Sequence, residues 1–281
     1  MEVLVSKGFV IFAQNTESIN YIQQAYALAL SIKLTQKIVN NVSLVTDDTV
    51  PENYKHVFDK IIPIPFGDQS NGSAYRAENR WKIYHATPYD ETIVLDSDML
   101  VLENIDIWWD YLHNYDVKFC NRIKNYKQEI VTDTVHRKAF VANHLSSPYY
   151  ALHYFKKNEF AFEFYKLLEF VCKNWELCWT TFAPNEYQNW LSMDLATAVA
   201  IDLMGVRDEV LDVSNPMEFV HMKTHLQGWN ITGNWQDAIL YNFNKELTVG
   251  NILQHKIFHY VEKDFLTDQF VKNIEGALNG S

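Results

Sequence analysis

The sequence predicts an α/β protein in which a mostly parallel sheet is flanked by helices. Short apolar runs at residues 9–13, 41–45 and 61–64 are typical of strands, and the stretches 18–33 and 51–58 between them are typical of helices. Strands and helices that alternate along a chain build a parallel sheet. A chain of 281 residues that is 48% hydrophobic has enough apolar surface for one large core.

Local features justify these first elements. The stretch 18–33 is rich in alanine, which favours a helix. Pro51 stands at the start of the next helix, where the first turn needs no N–H donor. Asn15 and Asp48 follow the first two strands. Because ligands of an open parallel sheet bind at the carboxyl ends of its strands, we expect both residues to lie near one crevice.

A fourth strand leads into a pair of carboxylates. Residues 92–95 read as a buried strand, followed by Asp96, Ser97 and Asp98. Side chains at i and i+2 of an extended segment share a face, so the two carboxylates project together. Their oxygens suit Mg²⁺ or Mn²⁺, ions that also bind phosphate. A solvated turn is the alternative, but carboxylates at the mouth of a buried strand need compensation by a cation or a helix terminus.

The segment before this strand concentrates basic side chains in an otherwise acidic chain. Residues 73–85 are predicted to form a helix that carries Arg76, Arg80 and Lys82. Helical spacing puts Arg76 and Arg80 on one face and turns Lys82 away. One interpretation is that these basic side chains contact a ligand bound at the two carboxylates. The alternative is that they form a solvent-exposed helix face and pair with Glu78.

The remaining segments continue the alternation. Strands are predicted at 117–120 and 149–155, and helices at 158–175 and 193–204. Ser192 stands where it can cap the last helix, and Asp194 lies in the first turn, where a negative charge is favoured. The polar stretch 121–144 is weakly periodic and is predicted to be a loop or a lid.

Two segments resemble GT-A glycosyltransferases, in particular the glycogenin-like retaining enzymes of family eight. The run TPYDETIVLDSDMLVLENID, residues 87–106, has the family's strand, D-x-D pair, apolar run and N-I-D turn in order. The run VHMKTHLQGWN, residues 220–230, is similar to the family's last catalytic strand, whose histidine completes a metal site. The resemblance implies a GT-A catalytic domain over residues 1–232. Residues 233–281 would be a helical C-terminal extension packed on it.

The resemblance also implies roles for single residues. The implied ligands of Mn²⁺ or Mg²⁺ are Asp96, Asp98 and His221. A histidine at a strand end is more often structural, and His225 is the alternative third ligand. Gln227 stands at the position of the family's phosphate-binding lysine, so Lys223 is expected to supply that positive charge.

On the donor side, the family holds the nucleobase and ribose with the turn after the first strand. The residues expected to contact a UDP-sugar are Asn15, Tyr21, Arg76, Lys82, Ser97 and Lys223. Lys82 is also expected to stabilise the departing diphosphate, and Asp194 to line the site near the anomeric carbon. The implied reaction is hexose transfer with retention of configuration, by front-face return or through a nucleophile such as Asp194.

Composition limits the classes of binding partner and the cellular location that we expect for the protein. The formal net charge of −11 argues against nucleic acid and anionic membrane surfaces as general partners. Three cysteines do not make an even disulfide framework, and no segment reaches the roughly 18 apolar residues of a membrane span. We expect a cytoplasmic protein that binds a UDP-sugar and a glycan, protein or small-molecule acceptor. A second copy of the chain is a candidate partner.

Two other functions compete with a transferase. A noncatalytic protein on the same fold would bind a sugar nucleotide without turning it over, and the altered segment after His221 permits this. A haloacid-dehalogenase-like phosphatase also places D-x-D after an apolar strand. That fold opens with the motif, whereas about ninety residues with their own strands precede Asp96 here.

Overall fold

The computed structural model of the chain describes residues 5–70, 76–186, 190–212, 214–241 and 246–279. Its strands are β1 (Lys7–Phe12), β2 (Val42–Val45), β3 (Lys60–Ile62), β4 (Glu91–Asp96), β5 (Met99–Val101), β6 (Val117–Cys120), β7 (Ile123–Lys124), β8 (Tyr149–Lys156), β9 (Phe219–His221), β10 (Ile239–Tyr241), β11 (Leu247–Val249), β12 (Ile252–Leu253) and β13 (Ile257–His259). Its α-helices are α1 (Tyr21–Thr35), α2 (Ile83–Ala86), α3 (Ile107–Leu112), α4 (Lys138–Ala142), α5 (Glu159–Lys173), α6 (Trp175–Phe182), α7 (Met193–Met204), α8 (Arg207–Val210) and α9 (Asp268–Asn279). Short 3-10 helices lie at Glu52–Val57, Ala77–Lys82, Val135–Arg137, Trp235–Ala238 and Lys263–Phe265.

The predicted, mostly parallel sheet forms the centre of the structure. Its strand order is β3-β2-β1-β4-β8-β6, with β3, β2, β1 and β4 parallel and β8 antiparallel to β4 and β6. Side chains of a strand alternate between the two faces. Phe9 and Ile11 therefore pack with α1 on one face, while Val10 packs with α5 and α7 on the other. Helices cover both faces, which explains why β1 is apolar from Phe9 to Phe12.

A second sheet ties the carboxyl-terminal segment to the rest of the fold. Its order is β5-β13-β9-β7, and β13 is antiparallel to β5 and parallel to β9. The predicted helical extension is present as α9, which packs on α1. The Tyr26 hydroxyl on α1 donates a hydrogen bond to the Glu275 carboxylate on α9, 2.8 Å away. The segment before α9 instead forms strands β10 to β13, because its apolar residues complete sheets.

Three predicted elements differ from the structure. Residues 51–58 form a 3-10 helix rather than an α-helix, and so does most of the predicted helix 73–85, whose first residues lie outside the described ranges. The stretch 121–144 is not a single loop, since it contains β7, a 3-10 turn and α4. Helix α7 has the predicted bounds, but the Ser192 hydroxyl makes no capping hydrogen bond. No helix in the described ranges is long and apolar enough to cross a membrane.

A histidine in the central sheet makes fold stability depend on pH. His153 is fully buried on β8, and its Nδ1 lies 2.7 Å from the Tyr150 carbonyl oxygen while its Nε2 lies 2.7 Å from the Tyr165 hydroxyl. A neutral ring satisfies both, with Nδ1 donating and Nε2 accepting. Burial lowers the pKa of His153 from 6.5 to about 3, against the opposing effect of the Tyr150 carbonyl.

We expect the His153 contribution to stability to be present above pH 6.5 and to be lost as the pH falls toward 3. The unfolded chain, with the higher pKa, binds this proton first, so acid favours unfolding. Between pH 7.5 and 5.0 the loss is about 2 kcal/mol. Urea unfolding at both pH values measures it, and His153→Gln should lose about 2 kcal/mol less over this interval than the unmodified chain. Equal losses in the two proteins would contradict a neutral buried histidine.

Candidate metal centre and adjoining cavities

The two carboxylates lie where the sequence predicts, at the carboxyl edge of the parallel sheet. Asp96 is the last residue of β4 and is paired with Phe12 at the end of β1. The chain then turns into β5, and this turn carries Ser97 and Asp98, both almost fully buried. Asp96 has about one fifth of its side chain exposed, so the two carboxylates are mostly buried but open to the crevice.

A histidine from the C-terminal segment completes the cluster. Strand β13 runs between β5 and β9, so that His259 is paired with Met99 on one side and with His221 on the other. The Nε2 atom of His259 lies 3.0 Å from Oδ2 of Asp98. Within the described residues, one oxygen of each carboxylate and one His259 nitrogen all lie within 4.8 Å of one another. Two carboxylates and one imidazole make a donor set suited to Mn²⁺ or Mg²⁺.

The structure thus places His259, and not the predicted third ligand His221, together with Asp96 and Asp98. His221 lies one strand further from the carboxylates than His259, and its ring centroid is 4.7 Å from that of His259. Burial, with the nearby His259, Lys223 and Arg137, lowers the pKa of His221 well below its ordinary value. His225, the alternative ligand, is exposed and lies outside the cluster. Sequence reasoning missed His259 because no local motif surrounds it and only the pairing of β13 brings it to Asp98.

Two cationic side chains neutralise the carboxylates. Arg80 donates from Nη1 to Asp96 across 2.8 Å, and the Lys263 ammonium donates to Oδ2 of Asp98. Burial by itself would raise the pKa of Asp98, but the charges of His259 and Lys263 and their hydrogen bonds outweigh burial and lower it. Asp98 is thus held as a carboxylate, the form that binds a metal ion.

The structure moves Lys82 away from this cluster. Its ammonium is buried and donates to the Gly67 carbonyl oxygen and to Oδ1 of Asn79, the latter across 2.7 Å. Burial lowers the pKa of Lys82, although Asp68 opposes the effect. The predicted catalytic lysine instead holds the loop at Gly67, and the basic side chain that reaches the carboxylates is Arg80. Residues two apart point to different sides of a 3-10 helix, as they do in an α-helix, so Arg80 and Lys82 do not face the same group.

A very narrow pocket of about 10 Å³, the β1 cleft, lies between the end of β1 and this basic segment, and it must widen to admit anything larger than a water molecule. Its lining residues are Phe12, Gln14, Thr16, Tyr21, Arg76, Arg80 and Ser97. Three of the residues predicted to contact a donor line it, namely Tyr21, Arg76 and Ser97. The Asn15 side chain instead accepts a hydrogen bond from the Ile22 amide, 3.1 Å away, at the start of α1. Asn15 thus has a structural contact that the sequence did not reveal.

A second opening, the α7 cavity, is lined by His221, whose ring centroid is 4.7 Å from that of His259. It has a volume of about 370 Å³, and its lining includes His136, Arg137, Trp190, Asp194, His221 and Lys223. Asp194 accepts hydrogen bonds from Arg137, at 2.9 Å, and from the Tyr150 amide, at 2.8 Å. Arg137 was not predicted, since it stands in the polar stretch assigned to a loop. A neighbouring cavity of about 510 Å³ shares Arg137 and His136 with this one.

Unpartnered buried polar atoms surround the cluster. The Oγ of Ser97 and the Nδ1 atoms of His221 and His259 are buried, and they lack hydrogen-bond partners among the described residues. Buried polar groups are nearly always paired in native proteins. A polar guest beside the two carboxylates would supply partners for these atoms, so the residues present are compatible with a divalent cation.

Comparisons with known proteins identify the fold. No family model and no curated protein matches the sequence. Among solved structures, the chain is similar to mouse xyloside xylosyltransferase 1, with 13% identity, coverage of 91% of this chain and 97% of that one, and a TM-score of 0.54. It is similar to the galactosyltransferase LgtC in complex with donor and acceptor sugar analogues, with 13% identity, coverage of 97% and 95%, and a TM-score of 0.51. The bifunctional glycosyltransferase WbbM matches with 14% identity over 100% of this chain and 51% of its own, at a TM-score of 0.54.

These similarities show that the chain has the GT-A glycosyltransferase fold, with a mostly parallel central sheet flanked by helices. Fold and activity are separate properties, because one fold can carry several functions. The narrower resemblance to the glycogenin-like enzymes of family eight stays a prediction at these identities.

Proposed function

We propose that the protein is a metal-dependent glycosyltransferase that moves a hexose from a UDP-sugar to an acceptor. The observation that carries this proposal is the cluster of Asp96, Asp98 and His259 at the carboxyl edge of the parallel sheet in a GT-A fold. Ligands of open α/β sheets bind at this edge. The β1 cleft and the α7 cavity flank the cluster, so a donor and an acceptor can approach from two sides.

The donor is proposed to lie in the β1 cleft. Asp96, Asp98 and His259 would hold Mn²⁺ or Mg²⁺, which supplies Lewis-acid stabilisation of a departing diphosphate. Arg80 and Arg76 line the cleft, and a cationic group placed where negative charge develops stabilises the transition state. Tyr21 offers a ring and Ser97 a hydroxyl to the nucleoside end of the donor. Arg80 takes the part that the sequence assigned to Lys82.

The acceptor is proposed to enter by the α7 cavity. Lys223 lines this cavity and adds a positive charge on the acceptor side of the metal centre. Asp194 also lines it, but its carboxylate is engaged by Arg137 and by the Tyr150 amide. A carboxylate in an ion pair is a weaker nucleophile than a free one. If transfer proceeds with retention, this pairing favours front-face return over a covalent intermediate on Asp194.

The C-terminal segment belongs to the proposed catalytic unit. His259 stands in residues 233–281, which the sequence treats as an extension without chemistry. We propose that this segment and residues 1–232 act together, because β13 pairs with strands from the first part of the chain. A cytoplasmic location and assembly with a second copy stay predictions.

Release of UDP from a panel of UDP-sugars tests the proposed function. The assay is run with Mn²⁺, with Mg²⁺ and with EDTA, and with water as the default acceptor. Release from one sugar that requires the metal would support the transferase and identify its donor. UDP binding that depends on metal, without release from any sugar even when candidate acceptors are added, would favour a noncatalytic sugar-nucleotide-binding protein. If neither UDP nor metal binds, the donor assignment is wrong.

A further inference from the structure

We propose that Lys263 is a built-in counter-ion that competes with the divalent cation for Asp98, and that a nucleoside diphosphate relieves this competition. The inference rests on the proposed function and adds a coupling between metal binding and nucleotide binding. It concerns a residue outside the segments that resemble known enzymes. The contacts of one carboxylate oxygen carry it.

Two side chains contact the Oδ2 atom of Asp98. Lys263 donates a hydrogen bond to this oxygen, and His259 Nε2 lies 3.0 Å from the same atom. Asp98 has only 5% of its side chain exposed, so water cannot take over either contact readily. Because a cation bound by Asp96, Asp98 and His259 needs an oxygen of Asp98, it would lie close to the Lys263 ammonium. Two positive charges this close in a buried site repel strongly.

Of the two cationic side chains that pair with the carboxylates, Lys263 is the one that can move away from its partner. Its side chain is 24% exposed, and it extends from a short 3-10 helix at the rim of the site. The backbone there is held by a hydrogen bond from the Phe265 amide to the Glu262 carbonyl oxygen at 3.2 Å. A lysine has a flexible stem and a compact charge, so it can change partner without movement of the backbone. Arg80 is about equally exposed, at 22%, but its planar guanidinium is fixed on Asp96 by a 2.8 Å ion pair and changes partner less readily than an ammonium on a flexible stem.

The β1 cleft offers the displaced ammonium a new position. The Lys263 Nζ atom already lies 5.5 Å from the centroid of the Tyr21 ring, and Tyr21 lines the cleft. Arg76 and Arg80 line the same cleft, and the carboxylates beside them, Asp68 and Asp96, are already paired with them, so an added ammonium would have to compete for those carboxylates unless another anion is present. The oxygens of a diphosphate supply that anion. The lysine therefore leaves Asp98 easily only when metal and diphosphate arrive together.

Binding of Mn²⁺ and UDP should consequently be cooperative. Without nucleotide, the metal must displace Lys263 into a cleft whose carboxylates are already paired with arginines, and it binds weakly. With nucleotide, the displaced lysine gains a phosphate partner. Because coupling between two ligands is reciprocal, UDP should strengthen Mn²⁺ binding by the same factor as Mn²⁺ strengthens UDP binding.

Calorimetric titration of the full chain with Mn²⁺, with and without UDP, tests this inference. We expect Lys263→Met to bind Mn²⁺ alone at least about tenfold more tightly than the unmodified protein, and we expect UDP to improve its Mn²⁺ affinity by a smaller factor. Lys263→Arg, which keeps the charge, should behave more like the unmodified protein. Lys33→Met is the matched control, since Lys33 is 22% exposed and lies 2.8 Å from Asp59 in a separate ion pair.

The outcomes separate this inference from the proposed function. If the unmodified protein binds Mn²⁺ and UDP and Lys263→Met gives the same Mn²⁺ affinity and the same coupling, the competition is refuted while the transferase stands. Weaker Mn²⁺ binding by Lys263→Met refutes it as well and would make Lys263 a supporting residue. If no variant binds Mn²⁺ at all, the metal centre of the proposed function fails and the inference fails with it. A thermal melt of each variant establishes that it is folded.

Discussion

Replacement of Asp98 by asparagine is expected to abolish detectable Mn²⁺ binding and to reduce metal-dependent release of UDP by at least about 100- to 1000-fold. Asparagine has nearly the same shape, so the turn between β4 and β5 should keep its conformation. The change removes the negative charge that holds the cation and that His259 and Lys263 contact in its absence. The measurement is the rate of UDP release at the Mn²⁺ concentration that saturates the unmodified protein.

Asp110→Asn is the matched control for this experiment. Asp110 is an exposed residue of α3 and makes no contact with the carboxylate cluster. Its replacement should leave both metal binding and turnover within about twofold of the unmodified protein, as is usual for surface changes. If Asp98→Asn turns over as fast as Asp110→Asn, Asp98 does not hold a catalytic metal. The D-x-D pair would then be a structural turn neutralised by its own cationic neighbours.

Replacement of His259 by glutamine is expected to weaken Mn²⁺ binding by about 100-fold or more, whereas the same change at His221 should weaken it by about tenfold or less. His259 lies against Asp98, and His221 lies beyond it on the next strand. His221 contacts the His259 ring and can orient it, so its loss should act indirectly. Isothermal titration of both variants gives the two affinities.

His225→Gln provides the reference for this pair, because His225 is exposed and stands four residues further along. We expect its Mn²⁺ affinity to stay unchanged. A larger loss for His221→Gln than for His259→Gln would reverse the correction and restore the ligand that the sequence indicated. Urea unfolding of each variant would show whether a loss of affinity reflects a local change, since all three folded proteins should have similar transition midpoints.

The features that were predicted correctly from the sequence are those that depend on residues close together in the chain. The apolar strand before Asp96, the i and i+2 spacing of the carboxylates and the first turn that carries Asp194 all depend on neighbours in the chain. Strands β1, β2, β3 and β4 are parallel because strands and helices alternate along this part of the chain, and that alternation can be recognised segment by segment. These features were accessible because helix and strand periods determine which way nearby side chains point.

The residues that sequence reasoning missed depend on contacts between distant segments. Lys82 and Arg80 are two positions apart and point to different sides of their helix, and the packing of that helix decided that Arg80 reaches Asp96 while Lys82 reaches the Gly67 carbonyl oxygen. Arg137 stands in a polar stretch without a pattern, yet it is almost fully buried because Asp194 accepts its hydrogen bond and Tyr149 stacks on it. No spacing along the chain predicts such a pair.

The sequence by itself thus determined the α/β class, the parallel sheet and the two carboxylates at its edge, because each follows from periodicity and from charges near one another in the chain. Only the tertiary structure decided what completes the cluster. His259 and Lys263 reach Asp98 from more than 150 residues away because β13 pairs between β5 and β9. Strand pairing over such a distance is selected by burial and hydrogen bonding of the whole sheet, and a motif of a few residues does not encode it.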